Sequence, residues 1–191
     1  MVNNLDIIKG LLSFESEDDF YHLQIIKRKK EHPELGSNSH IIKTYYIKSI
    51  DHLDKCMGEI IVLCDYHNAR ACINLNVRSF EKMAFHTLKK VSDIIMNRDY
   101  KSVRNAYESV CGSYGTGRDK RWIIDIDNND EELDRQIQLN INNCEPFGMK
   151  IIANLPTKNG HHLICSPFDV RGFEFKDVDI HKNNPTILYI P

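Results

Sequence analysis

Two aspartates, Asp125 and Asp127, lie at alternate positions in the apolar stretch WIIDID. Alternate residues of a β-strand point to one face, so we expect the two carboxylates side by side, with Ile124 and Ile126 facing a core. Two such charges repel each other unless a cation lies between them or one stays protonated. A divalent ion is the simplest explanation, and oxygen ligands of this kind suit Mg²⁺ or Mn²⁺.

A solvated strand end would also explain an isolated D-x-D pair, so further signals are needed. One is a small polar loop between two apolar, strand-like runs. It consists of Thr157, Lys158, Asn159 and Gly160, and His161 and His162 follow it. Such a loop lets backbone N–H groups approach phosphate, its lysine adds positive charge, and a following histidine can donate to a triphosphate oxygen. An ordinary hairpin turn is the alternative interpretation.

Another signal is Asp179, in the apolar-flanked tripeptide V-D-I near the C-terminal end of the sequence. If V-D-I pairs beside WIIDID, its acid completes a cluster of three carboxylates. The alternative is an acid on an edge strand, and Asp177 is a competing candidate on the same face.

The order and spacing of these signals resemble the catalytic core of the archaeo-eukaryotic primase superfamily, including the primase-polymerases of phages and mobile elements. In that family, an apolar strand bearing D-x-D precedes a small-residue loop leading to a histidine, and a later apolar strand bears an acid. Asp125 and Asp127 match the first motif, residues 157–162 the second, and Asp179 the third. The resemblance covers roughly residues 60 to 190.

The resemblance implies metal-dependent, template-directed nucleotide incorporation in the replication of a phage or mobile element. Asp125, Asp127 and Asp179 would be the catalytic residues and the ligands of Mg²⁺ or Mn²⁺. His162, with Thr157, Lys158, Asn159 and Gly160, would bind the nucleotide. The implied partners are nucleoside triphosphates, a DNA template or primer and, in trans, a replicative helicase.

Three other functions stay open. A non-catalytic relative of the same fold would bind nucleic acid without turnover. A rolling-circle replication endonuclease needs two histidines on one strand face, whereas the adjacent His161 and His162 alternate faces, and it needs a helical tyrosine, whereas Tyr189 lies in a strand-like run. A glycosyltransferase would use D-x-D to hold a sugar nucleotide, but its usual parallel β-α units are not apparent.

A zinc site at His161, His162 and Cys165 lacks a fourth ligand.

The elements that must position these residues follow from periodicity and turn signals. From residue 120 onward the pattern is β-α-β-β-(α)-β, which is typical of ferredoxin-like and RNA-recognition-like folds. Earlier, Asp51 opens a short helix, EIIVLCDYHN and ARACINLNV read as strands, and Ser79 caps a long amphipathic helix. The expected class is α+β, a two-lobed primase-polymerase fold with an RNA-recognition-like catalytic half.

The expected domain organisation has two parts. Residues 1–35 form an accessory N-terminal segment closed by a turn, and residues 36–191 form a single two-lobed catalytic domain. Within it, residues 36–118 are the N-terminal lobe and residues 119–191 the catalytic half.

Composition narrows the choice of partners only slightly. A net charge of -2 argues against a protein that coats nucleic acid through overall charge, but a local basic groove remains compatible with it. The basic candidates for a template or primer groove are Arg70, Arg78, Arg118 and Lys120. The run Lys27–Lys30 is expected to be a solvated helix end instead.

Cysteine usage and hydropathy indicate the cellular compartment in which the protein is expected. The six cysteines are scattered without a C-x-x-C pair, which predicts reduced thiols and a cytoplasmic location. No apolar run approaches the length needed to span a bilayer, so no membrane association is expected.

Overall fold

The computed structural model describes residues 1–36, 39–115, 117–127 and 130–191. Its strands are β1 (Val2–Asn3), β2 (Asp19–Lys27), β3 (His40–Ile47), β4 (Arg70–Ile73), β5 (Arg78–Ser79), β6 (Trp122–Ile126), β7 (Ile151–Pro156), β8 (His161–Cys165), β9 (Asp179–His181) and β10 (Thr186–Ile190). Its α-helices are α1 (Leu5–Leu11), α2 (Ile50–His67), α3 (Phe80–Met96), α4 (Ala106–Ser113) and α5 (Glu131–Asn143). Short 3₁₀ helices lie at Pro33–Leu35, Tyr100–Asn105 and Val170–Gly172. Every strand pairing between described residues is antiparallel, in two sheets, so the α+β class is confirmed.

The first sheet has the strand order β1-β10-β4-β2-β3, with β5 paired to β2. Strand β2 is central: its Leu23 lies opposite Tyr45 of β3 on one side and Ile73 of β4 on the other. The expectation that residues 1–35 form an accessory segment is therefore wrong. Their apolar positions, including the fully buried Leu23, contribute to the core that this sheet shares with α2.

Helix α2 corrects a second expectation, because EIIVLCDYHN is its C-terminal half and not a strand. The side chain of Ser49 accepts a hydrogen bond from the N–H of His52 at the start of the helix. Its buried residues recur at helical spacing, as Leu53, Met57, Ile60 and Cys64. The β-branched and aromatic composition of the segment suggested a strand, but packing of this stripe on the first sheet favours the helix.

The long helix expected after Ser79 is confirmed as α3, and the Ser79 hydroxyl accepts from the N–H of Lys82 at 3.1 Å. The helix expected from Tyr100 begins instead as 3₁₀ and becomes α-helical only at Ala106.

The second sheet has the strand order β7-β8-β6-β9. Strand β8 lies between β6 and β7, the two strands that α5 connects, so the β-α-β unit is split as the sequence predicted. The optional second helix is reduced to the 3₁₀ turn Val170–Gly172. Strand β10 does not extend this sheet, because it pairs with β4 and β1 of the first.

The alternating residues of β6 join the two halves. Ile124 and Ile126 belong to the apolar cluster formed with α5. Ile123, on the opposite face, belongs with Ile164 to the core of the first sheet. The face of β6 that carries Asp125 is therefore turned toward the first sheet.

Two further features bear on the expected cellular compartment: the state of the cysteines and the hydropathy of the helices. All six cysteines are free, and five of them are buried. Among the described residues, no helix combines the length and the apolar character that a bilayer crossing requires.

Candidate active site

A cavity of about 770 Å³ opens between the two sheets, and it is the centre of the candidate site. The residues of the second sheet and its connections that line it are Asp125, Asp127, Thr157, Lys158, Asn159, His162, Asp179, His181, Asn184 and Pro185. The residues of the first sheet and its connections that line it are Ile26, Arg28, Lys30, Glu31, Ser39, Arg70, Cys72 and Ile187. Acids, bases and an apolar floor thus meet in one space large enough for a small-molecule ligand.

Three predicted residues lie in a row across adjacent strands of the second sheet. Asp125 of β6 is directly opposite His162 of β8 on one side and Asp179 of β9 on the other. The expected pairing of V-D-I beside WIIDID is therefore confirmed. Asp127 follows the end of β6 and is exposed at the same cavity, whereas the competing Asp177 does not line it.

Asp125 is held between two imidazoles. His162 Nε2 lies 3.3 Å from Asp125 Oδ1, and His181 Nε2 lies 3.9 Å from Asp125 Oδ2. The hydrogen bond from His162 lowers the pKa of Asp125 below its ordinary value while burial opposes it, and the charge of Arg28, with those of His162 and His181 when these rings are protonated, lowers it further. The carboxylate is therefore ionised at neutral pH.

Neighbouring polar groups set the orientation of both rings. The Nδ1 atom of His162 lies 2.8 Å from the hydroxyl of Thr186, which is fully buried. Because a carboxylate only accepts, a neutral His162 donates to Asp125 through Nε2 and accepts from Thr186 at Nδ1. Asn184 likewise lies 3.0 Å from Nδ1 of His181 and donates its amide hydrogen there.

His181, Asn184 and Thr186 were not predicted as site residues. His181 could have been found from alternation, because it lies two positions after Asp179 on a strand and thus on the same face. Thr186 had no sequence signal, since its strand belongs to the first sheet and meets His162 only through the tertiary fold.

Residues Thr157–Gly160 form the turn between β7 and β8. The N–H of Thr157 donates to the carbonyl of Gly160 at 2.9 Å, and the N–H of Gly160 donates to the Thr157 hydroxyl at 3.2 Å. Thr157, Lys158 and Asn159 line the cavity, whereas Gly160 does not. The Gly160 N–H is used inside the turn, so the backbone donors toward the cavity would be those of Lys158 and Asn159.

The four basic groove candidates have different environments. Arg70 lines the cavity, is 7% exposed and pairs with Glu31. Arg78 is fully buried and donates to the carbonyls of Cys111 and Asn76, so its assignment to an accessible groove is wrong. It fills the interior beside α4 because its guanidinium finds backbone acceptors there.

The other two candidates lie away from the cavity lining. Arg118 pairs with Glu15 at 2.9 Å and Asp19 at 2.6 Å, and thereby ties the segment before β6 to the N-terminal region. Lys120 is exposed. A role for either residue in contacting nucleic acid stays a prediction.

Two buried asparagines after β4 fix the approach to the site. Asn76 accepts from the N–H of Arg121 at 2.7 Å and donates to the carbonyl of Arg121 at 3.1 Å, just before β6. Asn74 donates to the carbonyl of Asn183 at 2.6 Å, after β9. The strands that carry Asp125 and Asp179 are therefore both anchored to the first sheet by side-chain amides, a role that the strand-like pattern of ARACINLNV did not reveal.

The two adjacent histidines serve different faces. His161 lies 3.1 Å from Asp134 of α5, on the face of β8 opposite the cavity. Tyr189 is buried in β10 and donates to Asp65 at 2.9 Å. The constellation that a rolling-circle endonuclease needs, two histidines on one face and a helical tyrosine, is not formed by these residues.

No group of three or more His, Cys, Asp or Glu side chains is assembled to hold one metal ion in the described parts of the chain. Comparisons with protein-family models, with curated proteins and with solved structures find no match to this chain.

Proposed function

We propose that the protein is a metal-dependent nucleotidyltransferase that incorporates nucleotides on a primed or unprimed DNA template, in the manner of the primase-polymerases. The observation that carries the proposal is the row His162, Asp125, Asp179 across three adjacent strands, facing a cavity that Asp127 and Lys158 also line. Acids, a histidine and a lysine around one space are the groups that phosphoryl transfer needs for positioning and charge stabilisation.

The donor set suits a hard divalent cation bound together with a nucleotide. Mg²⁺ usually takes only one or two protein carboxylates and completes its shell with water and substrate phosphates. Asp125 and Asp179, as cross-strand neighbours, and Asp127, at the strand end, would hold Mg²⁺ or Mn²⁺ in this way. When bound, such an ion neutralises phosphate charge and makes a 3′-hydroxyl a better nucleophile.

The protein groups themselves have three tasks. Asp125 stays ionised because His162 donates to it, which keeps a negative charge at the centre of the row. His162, oriented by Thr186, has its N–H at the cavity wall; this N–H donates to Asp125 in the present structure and would donate to a phosphate oxygen once a cation takes up the carboxylate. Lys158 supplies a mobile positive charge from the turn.

The apolar side of the cavity fits the remaining part of a nucleotide. Ile26, Cys72 and Ile187 lie on three neighbouring strands of the first sheet and line the cavity. A base and sugar have apolar faces that such a floor can cover, while the charged groups lie around them.

The experiment compares Asp179→Asn with Asp177→Asn. Incorporation of a labelled nucleotide on a primed DNA template is measured with Mg²⁺ and with Mn²⁺. We expect Asp179→Asn to lower the rate by about a hundredfold or more, because a carboxylate beside the reacting phosphate contributes several kcal/mol of charge stabilisation. Asp177→Asn removes an equal charge from the turn just before β9, outside the cavity lining, and should act as wild type.

Two results would contradict the proposal. One is the absence of incorporation by the wild type with either ion on primed and unprimed templates. The other is an equal effect of the two substitutions. A non-catalytic relative would bind DNA without incorporation, and its binding would not depend on Asp179.

A further inference from the structure

The charged residues of the cavity are largely separated by sign, with two exceptions: Glu31 pairs with Arg70 on the basic side, and Lys158 lies in the turn on the side of the acids. The carboxylates Asp125, Asp127 and Asp179 all belong to β6, its end, and β9. Arg28, Lys30 and Arg70, which we call the basic wall, belong to the end of β2, the connection after it, and β4. A ligand that carries both a cation and several negative charges matches this separation, since its cation can meet the acids while its anions meet the basic wall.

Only two of the four basic residues in the run Lys27–Lys30 face the cavity. Arg28 and Lys30 line the cavity, whereas Lys27 and Lys29 do not. The expectation of a solvated helix end is wrong, because β2 ends at Lys27 and a turn follows. Arg28 alternates with Lys27 and follows Ile26 on the cavity side. The turn, in which the N–H groups of Glu31 and His32 donate to the carbonyl of Arg28 at 3.0 Å, then brings Lys30 to the same cavity.

Neither Arg28 nor Lys30 has an ion-pair partner within the described residues. Arg28 is half-buried and Lys30 is exposed. The positive charge of Arg28 reaches Asp125, since it contributes, after His162 and His181, to the lowered pKa of that carboxyl. Arg28 therefore lies within electrostatic range of the row of acids.

Arg70 adds a buried donor to the basic wall. Its side chain is 8% exposed and pairs with Glu31. The Nε atom is buried without a hydrogen-bond partner among the described residues. Buried donors of this kind are uncommon because they lose their hydration without compensation; Arg78 and Trp122 also have one, but Arg70 alone of these three lines the cavity, where a ligand could accept from it.

We propose that Arg28, Lys30 and Arg70 bind the polyphosphate chain of a nucleoside triphosphate, so that the substrate is clamped between the basic wall and the Lys158 turn. The proposal rests on the proposed function, since it concerns the same cavity. A volume of about 770 Å³ is that of a site for one small ligand and not of a channel for a strand. Arg70 lies inside this cavity, where a compact terminal phosphate reaches it more easily than a phosphodiester between two sugars does.

The test compares two double variants with the same change of charge. Arg28→Ala with Lys30→Ala removes two cavity residues, and Lys27→Ala with Lys29→Ala removes their neighbours outside it. Affinity for a non-hydrolysable nucleoside triphosphate with Mg²⁺ is measured by calorimetry on the full chain. We expect the cavity pair to weaken binding about tenfold or more, the size of a lost charge-assisted hydrogen bond. The neighbouring pair should bind as wild type.

A comparison of a nucleoside monophosphate with the triphosphate shows which phosphates the basic wall binds. For a nucleoside monophosphate, the cavity pair and the wild type should differ by less than for the triphosphate. Equal affinities of both double variants for the triphosphate would overturn the proposal. So would a loss that appears only with a single-stranded oligonucleotide, because the basic wall would then hold a strand.

The outcomes also separate this proposal from the proposed function. If the wild type binds triphosphate through Arg28 and Lys30 but never incorporates it, the polymerase function fails and the phosphate site stands. If the wild type incorporates nucleotides and the cavity pair binds them normally, the phosphate site fails and the function stands.

Discussion

The molecule contains two carboxylate–histidine pairs with opposite surroundings. In one, Asp125 receives a hydrogen bond from His162 in the second half. In the other, Glu108 of α4 lies 3.1 Å from His22 of β2. In both cases the hydrogen bond from the histidine is the largest cause of a lowered pKa of the carboxyl. The difference lies in what else contacts each carboxylate.

Glu108 is surrounded by donors of the first sheet. Gln24 and the Thr44 hydroxyl each donate to it at 3.3 Å, and the Tyr46 hydroxyl donates to its other oxygen. Both oxygens therefore have partners, and the carboxylate joins β2 and β3 to α4. Burial together with Glu108 raises the pKa of Tyr46, which accordingly stays a donor.

Among the residues that the structure describes, Asp125 has only imidazole partners, and it faces a cavity that Asp127 and Asp179 also line. Its oxygens keep acceptor capacity that a cation could use. The comparison teaches that a lowered carboxylate pKa does not identify an active site by itself, since Glu108 has one too. Unused acceptor capacity beside an open cavity distinguishes the two.

The largest expected effect is that of Asp125→Asn on incorporation. We expect the rate to fall by about a thousandfold, because the substitution removes the central charge of the row. The free energy of unfolding should change by no more than about 1 kcal/mol, since an amide fills the same volume. Incorporation kinetics and urea unfolding measure the two quantities, and a variant that keeps wild-type kinetics would end the distinction between the two pairs.

Glu108→Ala should show the opposite profile. Removing the carboxylate leaves the buried His22 and the half-buried Tyr46 hydroxyl without their acceptor, so the free energy of unfolding should fall by about 1 to 3 kcal/mol. Nucleotide affinity, measured by calorimetry below the unfolding transition, should not change. A specific loss of nucleotide binding in a folded Glu108→Ala protein would place this pair in the functional site and contradict the comparison.

The stability contributed by Glu108 should also depend on pH. Its pKa is lowered from an ordinary value of 4.5 in the folded protein, so the contribution is complete above that value and is lost as the pH falls through the lowered folded-state pKa. Urea unfolding of wild type and Glu108→Gln from about pH 7 to about pH 3 checks this. The difference between the two proteins should shrink in acid, and a constant difference would show that the charge of Glu108 does not matter.

The smallest expected effect is that of Thr186→Val. The substitution keeps the shape of a fully buried side chain but removes the hydroxyl beside Nδ1 of His162. We expect nucleotide incorporation to fall about fivefold, the equivalent of one neutral hydrogen bond. Thr186→Ser should restore the rate. If Thr186→Ser were as slow as Thr186→Val, packing of the methyl group and not orientation of His162 would explain the loss.

The local sequence pattern was sufficient to predict the strand faces and the turn of the second sheet. Alternation in WIIDID placed Ile124 and Ile126 toward α5 and Asp125 on the other face, as found. The turn at Thr157–Gly160 and the pairing of V-D-I with β6 were also predicted correctly. These features depend on strand period and turn chemistry, which act over a few residues.

The local sequence pattern failed to predict features that depend on contacts between distant segments of the chain. The segment EIIVLCDYHN has strand-like composition but packs as a helix, because its apolar stripe is buried on a sheet formed by β2 and β4. Residues 1–35 looked accessory, yet β2 is central in that sheet. Arg78 looked like a surface cation, but its guanidinium bonds to carbonyls inside the fold.

The sequence by itself determined which residues of each strand in the second sheet share a face, since alternation is a property of the extended backbone. It therefore indicated Asp125, His162 and Asp179 as one set. Only the tertiary structure decided what lies opposite that set. Arg28, Lys30 and Arg70 reach the cavity, and Thr186 reaches His162, because β2, β4 and β10 form a separate sheet against them. Contacts between segments so far apart in the chain leave no periodic signal in either one.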